Sequence, residues 1–302
     1  MEKKIFEGIY GIVLTPFKEN GAVDYNTLEK QIEKTLQSKA ITGIAVCGST
    51  GEFSRMSFEE NTALMKTAKA AADGVQFICG ATAGDSYTAR RYAEFISELG
   101  ADGILLAPPY YFKLSDEEIL AYYRSVLENT KMPVLGYNIP QCTNPVSVSN
   151  FEKLLEFDNF KGFKNSWNDM QEITSEIALR DEKRPDATIF TGLDACLYGT
   201  LSLGGNGIFS AITYLMPDII DVIYSNFGKN EKSFKCQCDL IKLINVVNRF
   251  TFPYGYRILS KAVGMPLGEG REAIPESTAK AAEQAEKEMY ETYSALRNKY
   301  LN

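Results

Sequence analysis

The chain has 302 residues, of which 45% are hydrophobic and 24% charged, as is typical of a folded protein with a sizeable core. Its 32 basic residues are outnumbered by 39 acidic ones, and the net charge of -7 argues against a nucleic-acid partner. The chain has no histidine, which excludes Ser-His-Asp and Cys-His nucleophiles, histidine metal ligands and a histidine general base. Acid–base chemistry must therefore come from other side chains.

No segment has the uninterrupted apolar core of a signal peptide or a membrane span, since the apolar run over 5–13 is broken by Glu7 and two glycines. The six cysteines do not suggest a disulfide framework. Cys236 and Cys238 have the wrong spacing for a zinc knuckle, and we predict no metal site. We therefore expect a cytoplasmic protein with reduced thiols and no membrane contact.

Short apolar segments without polar alternation recur along the chain, a pattern typical of parallel strands buried on both faces. The eight predicted strands are Gly11–Thr15, Gly43–Cys47, Val75–Gly80, Gly103–Ala107, Val134–Tyr137, Gly162–Lys164, Ile189–Thr191 and Gly207–Ser210. Amphipathic segments between them predict helices, several of which begin at a capping Ser or Asp. The clearest predicted helices are Asn26–Ser38, Ser57–Ala72, Tyr87–Leu99, Ser115–Asn129 and Asp169–Arg180.

Eight strand and helix units predict an α/β fold of the (β/α)8 TIM barrel type, because a barrel of roughly 250 residues needs that number of units. No dinucleotide fingerprint or phosphate-binding P-loop follows any predicted strand. The strand signals then stop, and helical patterns cover Ser233–Val247, Tyr256–Val263 and Glu276–Tyr300. We predict a catalytic barrel over residues 1–228 and a C-terminal helical extension over residues 229–302.

Barrel enzymes carry their reactive groups at the C-terminal ends of the strands, and one lysine is placed there. Lys164 follows Gly162 and Phe163 in an apolar strand, where an ammonium group would lose most of its hydration. A desolvated lysine has a lowered pKa and can attack a carbonyl as an amine, forming a Schiff base. The alternative is a lysine that extends to solvent from the strand end, and the local sequence alone favours it.

Three other side chains at strand ends suit the chemistry of such a lysine. Tyr137 ends an apolar strand, and its phenol is a suitable proton shuttle, although a tyrosine packed in the core fits the pattern equally. Ser49 and Thr50 follow the second strand in a glycine-bounded turn whose amides and hydroxyls suit a carboxylate. An ordinary capped turn is the alternative for this segment.

Other polar or aromatic residues near strand ends allow more than one interpretation. Tyr111 belongs to a rigid Pro-Pro-Tyr-Tyr turn that suits a lid, a wall or a subunit contact. Asp194 follows the seventh strand, and two roles fit this position: binding of substrate hydroxyls, or capping of the next helix. Ser210 ends the eighth strand, and Glu52, Glu59 and Glu60 are interpreted as a solvated helix face.

Together these segments resemble the class I, Schiff-base-forming pyruvate aldolases of the dihydrodipicolinate synthase and N-acetylneuraminate lyase superfamily over nearly the whole chain. The matching motifs, in the family's order, are Leu14–Phe17, Gly48–Glu52, Pro109–Tyr111, Tyr137–Pro140, Gly162–Lys164 and Gly204–Gly207 with Ser210. The resemblance implies that Lys164 is the Schiff-base lysine and Tyr137 the proton relay. It implies that Ser49 and Thr50 bind the carboxylate of pyruvate, and that Tyr111 reaches towards a neighbouring subunit's site. The implied assembly is a homotetramer built from tight dimers, and the implied chemistry needs no cofactor.

Two departures from the family patterns bear on the substrate. Dihydrodipicolinate synthases usually carry an arginine two residues after the proline of the Tyr-Asn-x-Pro motif, where this chain has Cys142, which cannot form a bidentate ion pair with a carboxylate. Ser166, Gly192 and Asp194 resemble features of sialic-acid lyases. In those enzymes a glutamate normally follows the aspartate, whereas this chain has Ala195.

We therefore expect a lyase that cleaves a 2-oxo acid into pyruvate and an aldehyde, or forms it from them. The expected 2-oxo acid is a 2-keto-3-deoxy sugar acid. The segments most similar to aldolases of such acids are Glu52–Met56 and Asp194–Gly205. The alternatives are N-acetylneuraminate lyase, dihydrodipicolinate synthase, a Schiff-base dehydratase acting on a keto-deoxy acid, and a non-catalytic barrel that binds a keto acid. The predicted substrate-binding residues are Ser49, Thr50, Ser166, Gly192, Asp194 and Ser210.

Overall fold

A computed structural model describes residues 5–301, in which eight β-strands and twelve α-helices are defined. The strands are β1 Gly8–Ile12, β2 Gly43–Val46, β3 Gln76–Gly80, β4 Gly103–Leu106, β5 Val134–Asn138, β6 Phe160–Asn165, β7 Thr188–Thr191 and β8 Gly207–Ser210. The helices are α1 Tyr25–Thr35, α2 Phe58–Ala71, α3 Ser86–Glu98, α4 Asp116–Leu127, α5 Val148–Leu154, α6 Met170–Lys183, α7 Leu197–Ser202, α8 Ala211–Leu215, α9 Pro217–Asn226, α10 Lys232–Val247, α11 Tyr254–Ala262 and α12 Glu276–Tyr300. Short 3₁₀ turns cover Phe53–Arg55 and Asp194–Cys196. Among residues 5–301, no helix combines the length and the apolar character needed to cross a bilayer.

The strands are hydrogen-bonded in chain order from β1 to β8 and close into a barrel. The described pairs, such as β3 with β4 and β5 with β6, are parallel. Nearly every strand residue is buried, which is why the strands are continuous apolar segments. Helices α10, α11 and α12 follow the last strand. The predicted (β/α)8 TIM barrel with a C-terminal helical extension is confirmed.

The chain forms two compact units. Of the described residues, the first unit contains 5–8 together with Gln76–Phe209, and the second contains Ile9–Val75 together with 210–301. In the second unit, α10 packs against α9 and α12, and α11 packs against α12. The predicted boundary between residues 228 and 229 stays a prediction, and the ends of the two predicted domains, at residues 1–4 and 302, lie outside the described residues.

Side-chain caps begin most of the helices that the sequence predicted. Ser57 and Ser115 form capping boxes with Glu60 and Glu118, so each pair satisfies two backbone amides at the start of its helix. Asp169 likewise accepts from two amides in the first turn of α6. These caps explain why the predicted starts of α2, α4 and α6 lie within one residue of the observed ones.

The register of β5 and β6 positions the candidate catalytic residues. In the parallel ladder Tyr137 lies opposite Lys164, and Asn138 lies opposite Asn165. On the α5 side of this pair of strands, three rings form a packed aromatic cluster consisting of Phe151, Phe160 and Phe163. The ends of the two strands are therefore supported by a well-packed core.

The first strand and the shorter helices differ from the prediction. Strand β1 ends at Ile12, three residues before the predicted end, because Val13 to Thr15 continue as a loop. In this loop the amide of Val13 still donates to the carbonyl of Ala45, while the hydroxyl of Thr15 donates to the carbonyl of Gly51. Helices α5, α7, α8 and α9 were not predicted. Three of them, α5, α7 and α8, have seven residues or fewer, which is too short for a clear periodic signal.

Candidate active site

Lys164 is buried at the end of β6, with only 3% of its surface exposed. Its Nζ lies 4.0 Å from the centroid of the Tyr137 ring. Burial lowers the pKa of Lys164 from 10.5 to about 7, and the nearby Asp194 carboxylate acts in the opposite direction. A substantial fraction of the side chain is therefore the neutral, nucleophilic amine at neutral pH. The lysine does not extend to solvent, which was the alternative that the local sequence favoured.

Tyr137 is buried beside the lysine and is held through both its backbone and its side chain. Its amide donates to the hydroxyl of Tyr123 on α4, and that hydroxyl donates in turn to the carbonyl of Leu106. The hydroxyl of Ser166 donates to the Tyr137 hydroxyl over 3.5 Å. Lys164, Tyr137 and Ser166 thus form one buried cluster at the ends of β5 and β6, in which a proton can pass between neighbouring hydroxyl groups.

Gly192 follows β7 and makes room for this cluster. A Cβ at this position would lie 1.9 Å from the Ser166 hydroxyl oxygen and 2.6 Å from the Lys164 Cε. The Gly192 amide also donates to the carbonyl of Asn165, which fixes the distance between the two strand ends. Glycine is therefore required here by the close approach of the lysine side chain.

We expect Gly192→Ala to slow the reaction of Lys164 with pyruvate by roughly 100-fold, because the added methyl group must displace the Ser166 or the Lys164 side chain. The rate is measured by borohydride trapping followed by intact mass. Gly199→Ala is the matched control, since a Cβ on Gly199 would meet only Met170 Cε at an ordinary 3.5 Å. A Gly192→Ala protein that reacts within threefold of the wild-type rate would contradict this close-packing account.

Asp194 is buried in the 3₁₀ turn that follows β7. It is not the N-cap residue of α7. That residue is Cys196, whose side chain makes no capping hydrogen bond. The carboxylate acts on the pKa of Lys164, which places it electrostatically within the same cluster. Asp194 is therefore not the N-cap residue of α7, and its predicted contact with substrate hydroxyls stays a prediction.

Tyr111 lies outside the buried cluster. Its ring is 82% exposed and packs edge to face against the exposed ring of Phe112 at a centroid separation of 4.9 Å. The segment is nevertheless tied down, because Asn144 donates to the carbonyls of Pro109 and Phe112. Rings held at the surface in this way are suited to contact with another molecule. The predicted role of Tyr111 at a neighbouring subunit's site stays a prediction.

Ser49 and Thr50 belong to the second unit and follow β2 in a strained turn. The turn lies between two residues with left-handed backbone conformation, Cys47 at φ 55° and Glu52 at φ 61°. Both side chains are half-buried, and neither hydroxyl has a hydrogen-bond partner among the residues that the structure describes. Left-handed residues beside a turn arrange successive amides into a concave anion-binding surface. The local geometry thus fits a carboxylate, and this predicted role stays a prediction.

Glu52 does not lie on a solvated helix face, and that interpretation is wrong. Its carboxylate is buried and accepts from Arg257 over 2.8 Å and from Arg55 over 2.5 Å. Arg257 also donates to the carbonyls of Thr15 and Leu267, so a single guanidinium joins three loops of the second unit. The paired charge explains why a carboxylate is tolerated in this interior position.

Glu60 and Ser210, both in the second unit, have identifiable structural partners. The carboxylate of Glu60 is bound by the guanidinium of Arg271, so it is not simply solvated. Ser210 is the N-cap of α8, where its hydroxyl accepts from the amide of Thr213 and contacts the Thr213 hydroxyl at 2.8 Å. Its predicted contact with substrate stays a prediction beside this capping role.

Cys142 occupies the position at which the synthases of the family usually carry an arginine. The thiol is partly buried, and burial raises its pKa, so it remains neutral. A neutral thiol cannot form a charge-assisted pair with a substrate carboxylate. Within residues 5–301, no group of three or more acidic or cysteine side chains is arranged to hold a metal ion.

Sequence comparison identifies the relatives of the chain. The family model for the dihydrodipicolinate synthetase family matches residues 5–292. An uncharacterized DapA-like lyase of Pyrococcus abyssi is 31% identical over 267 residues, which cover 86% of this chain and 89% of the relative. A 4-hydroxy-tetrahydrodipicolinate synthase of Acetivibrio thermocellus is 31% identical over 285 residues, which cover 93% and 95% of the two chains.

Structure comparison adds a relative of different chemistry. The solved structure of a 2-keto 3-deoxygluconate aldolase from Picrophilus torridus matches with a TM-score of 0.82 and 28% sequence identity. The match covers 89% of this chain and 97% of the aldolase. Proteins of both kinds, synthase and sugar-acid aldolase, are therefore similar to this chain over most of its length.

Proposed function

Because this chain belongs to the dihydrodipicolinate synthetase family, we propose that it is a Schiff-base-forming lyase that cleaves a 2-keto-3-deoxy sugar acid into pyruvate and an aldehyde. The observation that carries the proposal is the buried Lys164 amine, which packs on the Tyr137 ring and has a pKa of about 7. Simple binding of a keto acid needs neither a neutral amine nor an adjacent phenol. The buried pair therefore supports catalysis over the alternative of a binding barrel.

In the proposed reaction, the Lys164 amine adds to the 2-oxo carbon, and the carbinolamine loses water to give an iminium. The bond between carbons 3 and 4 then breaks, and its electron pair moves into the iminium to form an enamine. The hydroxyl on carbon 4 loses its proton and becomes the carbonyl of the released aldehyde. Protonation of the enamine at carbon 3, followed by addition of water, releases pyruvate and regenerates the amine. The iminium is the electron sink, so the reaction uses no cofactor.

The protons in these steps are carried by Tyr137, which is the phenol beside the lysine, with Ser166 as its hydrogen-bonded neighbour. Ser49 and Thr50 hold the substrate carboxylate through their hydroxyls and the amides of their turn. The role of Asp194 is to bind hydroxyls of the sugar chain. Tyr111 acts at the site of a second subunit in a homo-oligomer, because an aromatic side chain exposed on the surface is suited to such a contact.

The substrate class is supported by the residue at position 142. A site built to bind a second carboxylate by an arginine rejects a neutral polyol, and a site with a neutral thiol loses that selectivity. Cys142 and Ala195 remove the two charged side chains that synthases and sialic-acid lyases of the family usually have at these positions. The similarity to a 2-keto 3-deoxygluconate aldolase supports the same assignment.

Synthesis of 4-hydroxy-tetrahydrodipicolinate is the second candidate. The observation that favours it is the similarity over 93% of the chain to a relative of that name. The reaction would join pyruvate to aspartate semialdehyde through the same Lys164 enamine. Because the semialdehyde carries a carboxylate, this candidate needs a cationic partner for it in place of the usual arginine.

The experiment that tests the proposal supplies the enzyme with 2-keto-3-deoxygluconate and, separately, with pyruvate plus aspartate semialdehyde. We expect release of pyruvate and an aldehyde from the first, and a kcat/KM for the second that is lower by at least about 100-fold, the order of selectivity that a missing charged contact produces. Mass analysis of the products excludes a dehydratase if the carbon chain is cleaved. Faster synthesis with the semialdehyde than cleavage of the sugar acid would establish the second candidate instead.

A further inference from the structure

Behind the candidate active site, on the α6 side of β5 and β6, lies a buried polar cluster to which the proposed reaction assigns no role. The side-chain amide of Asn165 donates to Glu172 Oε1 over 3.0 Å and to the two oxygens of Glu176 over 2.9 and 3.1 Å. The amide of Asn138 donates to the same Glu172 oxygen over 2.7 Å. Glu176, Asn138 and Asn165 have no exposed surface. We call these four residues the carboxyl clamp.

The two acidic residues of the carboxyl clamp have no cationic partner in the part of the chain that the structure describes. Within residues 5–301, no lysine or arginine forms an ion pair with Glu172 or Glu176. The cations on the surrounding elements are engaged elsewhere, since Arg180 binds Asn206 and the carbonyl of Gly204, and Lys161 pairs with Asp186. Lys183, at the far end of α6, pairs with Glu152 of α5, and Asp169 at the near end adds a further negative charge.

Two carboxylates that share one amide nitrogen, with Glu176 fully buried and Glu172 half-buried, cannot both ionise without an electrostatic penalty. Desolvation raises the pKa of Glu176 to about 8. The hydrogen bond from Asn165 acts against this shift, and the charge of Glu172 adds to it. The pKa of Glu172 is also raised, mainly by desolvation. At neutral pH the carboxyl of Glu176 is therefore mostly protonated.

Asn165 connects the carboxyl clamp to the active site. It directly follows Lys164, and its side-chain oxygen accepts from the amide of Trp167 over 2.7 Å. Its carbonyl accepts from the amide of Gly192, and the amide of Ser166 donates to the carbonyl of Asn138. Each of these three hydrogen bonds of the segment after Lys164 therefore involves one of the two asparagines whose side chains bond the glutamates.

We propose that Glu176, in its protonated form, is a positioning residue: through Asn165 it holds the segment from Lys164 to Trp167 in the arrangement that Schiff-base formation needs. Ionisation of Glu176 places a second charge beside Glu172 and loosens this segment. The inference deepens the proposed function and rests on it for the role of Lys164, while the coupling between Glu176 and Trp167 can be observed without any substrate.

Trp167 is the only tryptophan in the chain, so selectively excited fluorescence reports on this segment alone. The experiment follows the emission of the full-length enzyme from about pH 6 to pH 9, a range in which few other groups titrate. Burial raises the pKa of the Cys142 and Cys196 thiols, which keeps them neutral over this range. In parallel, borohydride trapping measures the rate of pyruvate adduct formation at each pH.

We expect a fluorescence transition near pH 8 in the wild type, with a fall in trapping rate over the same range. Glu176→Gln keeps the hydrogen-bond acceptor but cannot ionise, so the transition near pH 8 disappears, while any transition near pH 7 from Lys164 remains.

Glu172→Gln removes the neighbouring charge and moves the transition to lower pH. Glu182→Gln, at an exposed position of the same helix, is the matched control and behaves as the wild type. Glu176→Ala loses the acceptor and traps pyruvate at least about tenfold more slowly than Glu176→Gln at pH 7.

A wild-type emission profile without a transition near pH 8 would overturn the proposal, whether or not any variant folds. The same transition in Glu176→Gln as in the wild type would overturn it as well. Failure of the proposed function would give a different result. No pyruvate adduct would then form at any pH, while the fluorescence transition near pH 8 would still be present in the wild type and absent from Glu176→Gln. Adduct formation that continues unchanged through a fluorescence transition would show that the carboxyl clamp does not position Lys164.

Discussion

Replacement of Lys164 with methionine is expected to abolish pyruvate adduct formation and to reduce turnover by at least about 10⁴-fold. Methionine keeps the length and the apolar stem of the lysine without the amine, so the iminium cannot form. Because the wild-type amine is buried and has a lowered pKa, its removal relieves desolvation of a charge and should not reduce the melting temperature. Intact mass after borohydride reduction with pyruvate, peptide mapping and thermal denaturation measure these effects.

Lys161→Met is the matched control for this variant. Lys161 lies on the same strand, three residues before Lys164, and pairs with Asp186 at 3.3 Å. It is partly exposed, so its amine has no comparable loss of hydration. We expect one reduced pyruvyl group on the control protein, at Lys164, and near-native turnover. Adduct formation on Lys164→Met at the wild-type stoichiometry would assign the Schiff base to another lysine and refute the mechanism.

The barrel could be predicted because its strands are buried on both faces and therefore appear as apolar segments without alternation. The proximity of Lys164 and Tyr137 followed from that prediction, since residues at the ends of neighbouring parallel strands lie side by side. The structure pairs them directly in the β5 and β6 ladder. What the sequence could not decide was whether the lysine is buried or reaches solvent. That choice depends on residues that follow a different strand, such as Gly192 and Asp194 after β7, which lie near the lysine.

Buried acidic residues were the main failure of the sequence interpretation. Glu52 follows a glycine-rich turn and has the sequence context of a solvated residue, yet it is buried because Arg257, about two hundred residues later, supplies the compensating charge. Glu176 is on a helix of ordinary amphipathic character and is buried, and no lysine or arginine among residues 5–301 pairs with it. A helical period predicts which face is covered, but not whether a carboxyl on that face is neutralised by an ion pair or by a proton.

Replacement of Tyr137 with phenylalanine is expected to lower kcat by roughly 10² to 10⁴-fold while leaving the Schiff base with pyruvate able to form. The phenylalanine ring retains the apolar contact with Lys164 and the packing in the core, and only the hydroxyl is lost. Proton transfer in dehydration of the carbinolamine and in cleavage of the carbon–carbon bond then has no positioned donor or acceptor. Ser166 is the remaining hydroxyl in the cluster, and it does not replace the phenol because its alcohol is much less acidic.

Separate measurements of pyruvate adduct formation and of carbon–carbon cleavage distinguish a tyrosine that relays protons from one with only a structural role. Single-turnover trapping should give a full pyruvate adduct on Tyr137→Phe, formed more slowly, whereas steady-state cleavage of the sugar acid falls by the larger factor. Tyr122→Phe is the control for removal of a buried hydroxyl from the same unit, because the Tyr122 hydroxyl accepts from the amide of Ala83 and not from that of Tyr137. Its effect should be confined to thermal stability, at about 1 to 3 kcal/mol for the unpaired amide. If Tyr137→Phe lost stability like this control but kept the wild-type kcat, the phenol would be a packing residue, and the protons would have to move through Ser166 or through groups bound with the substrate.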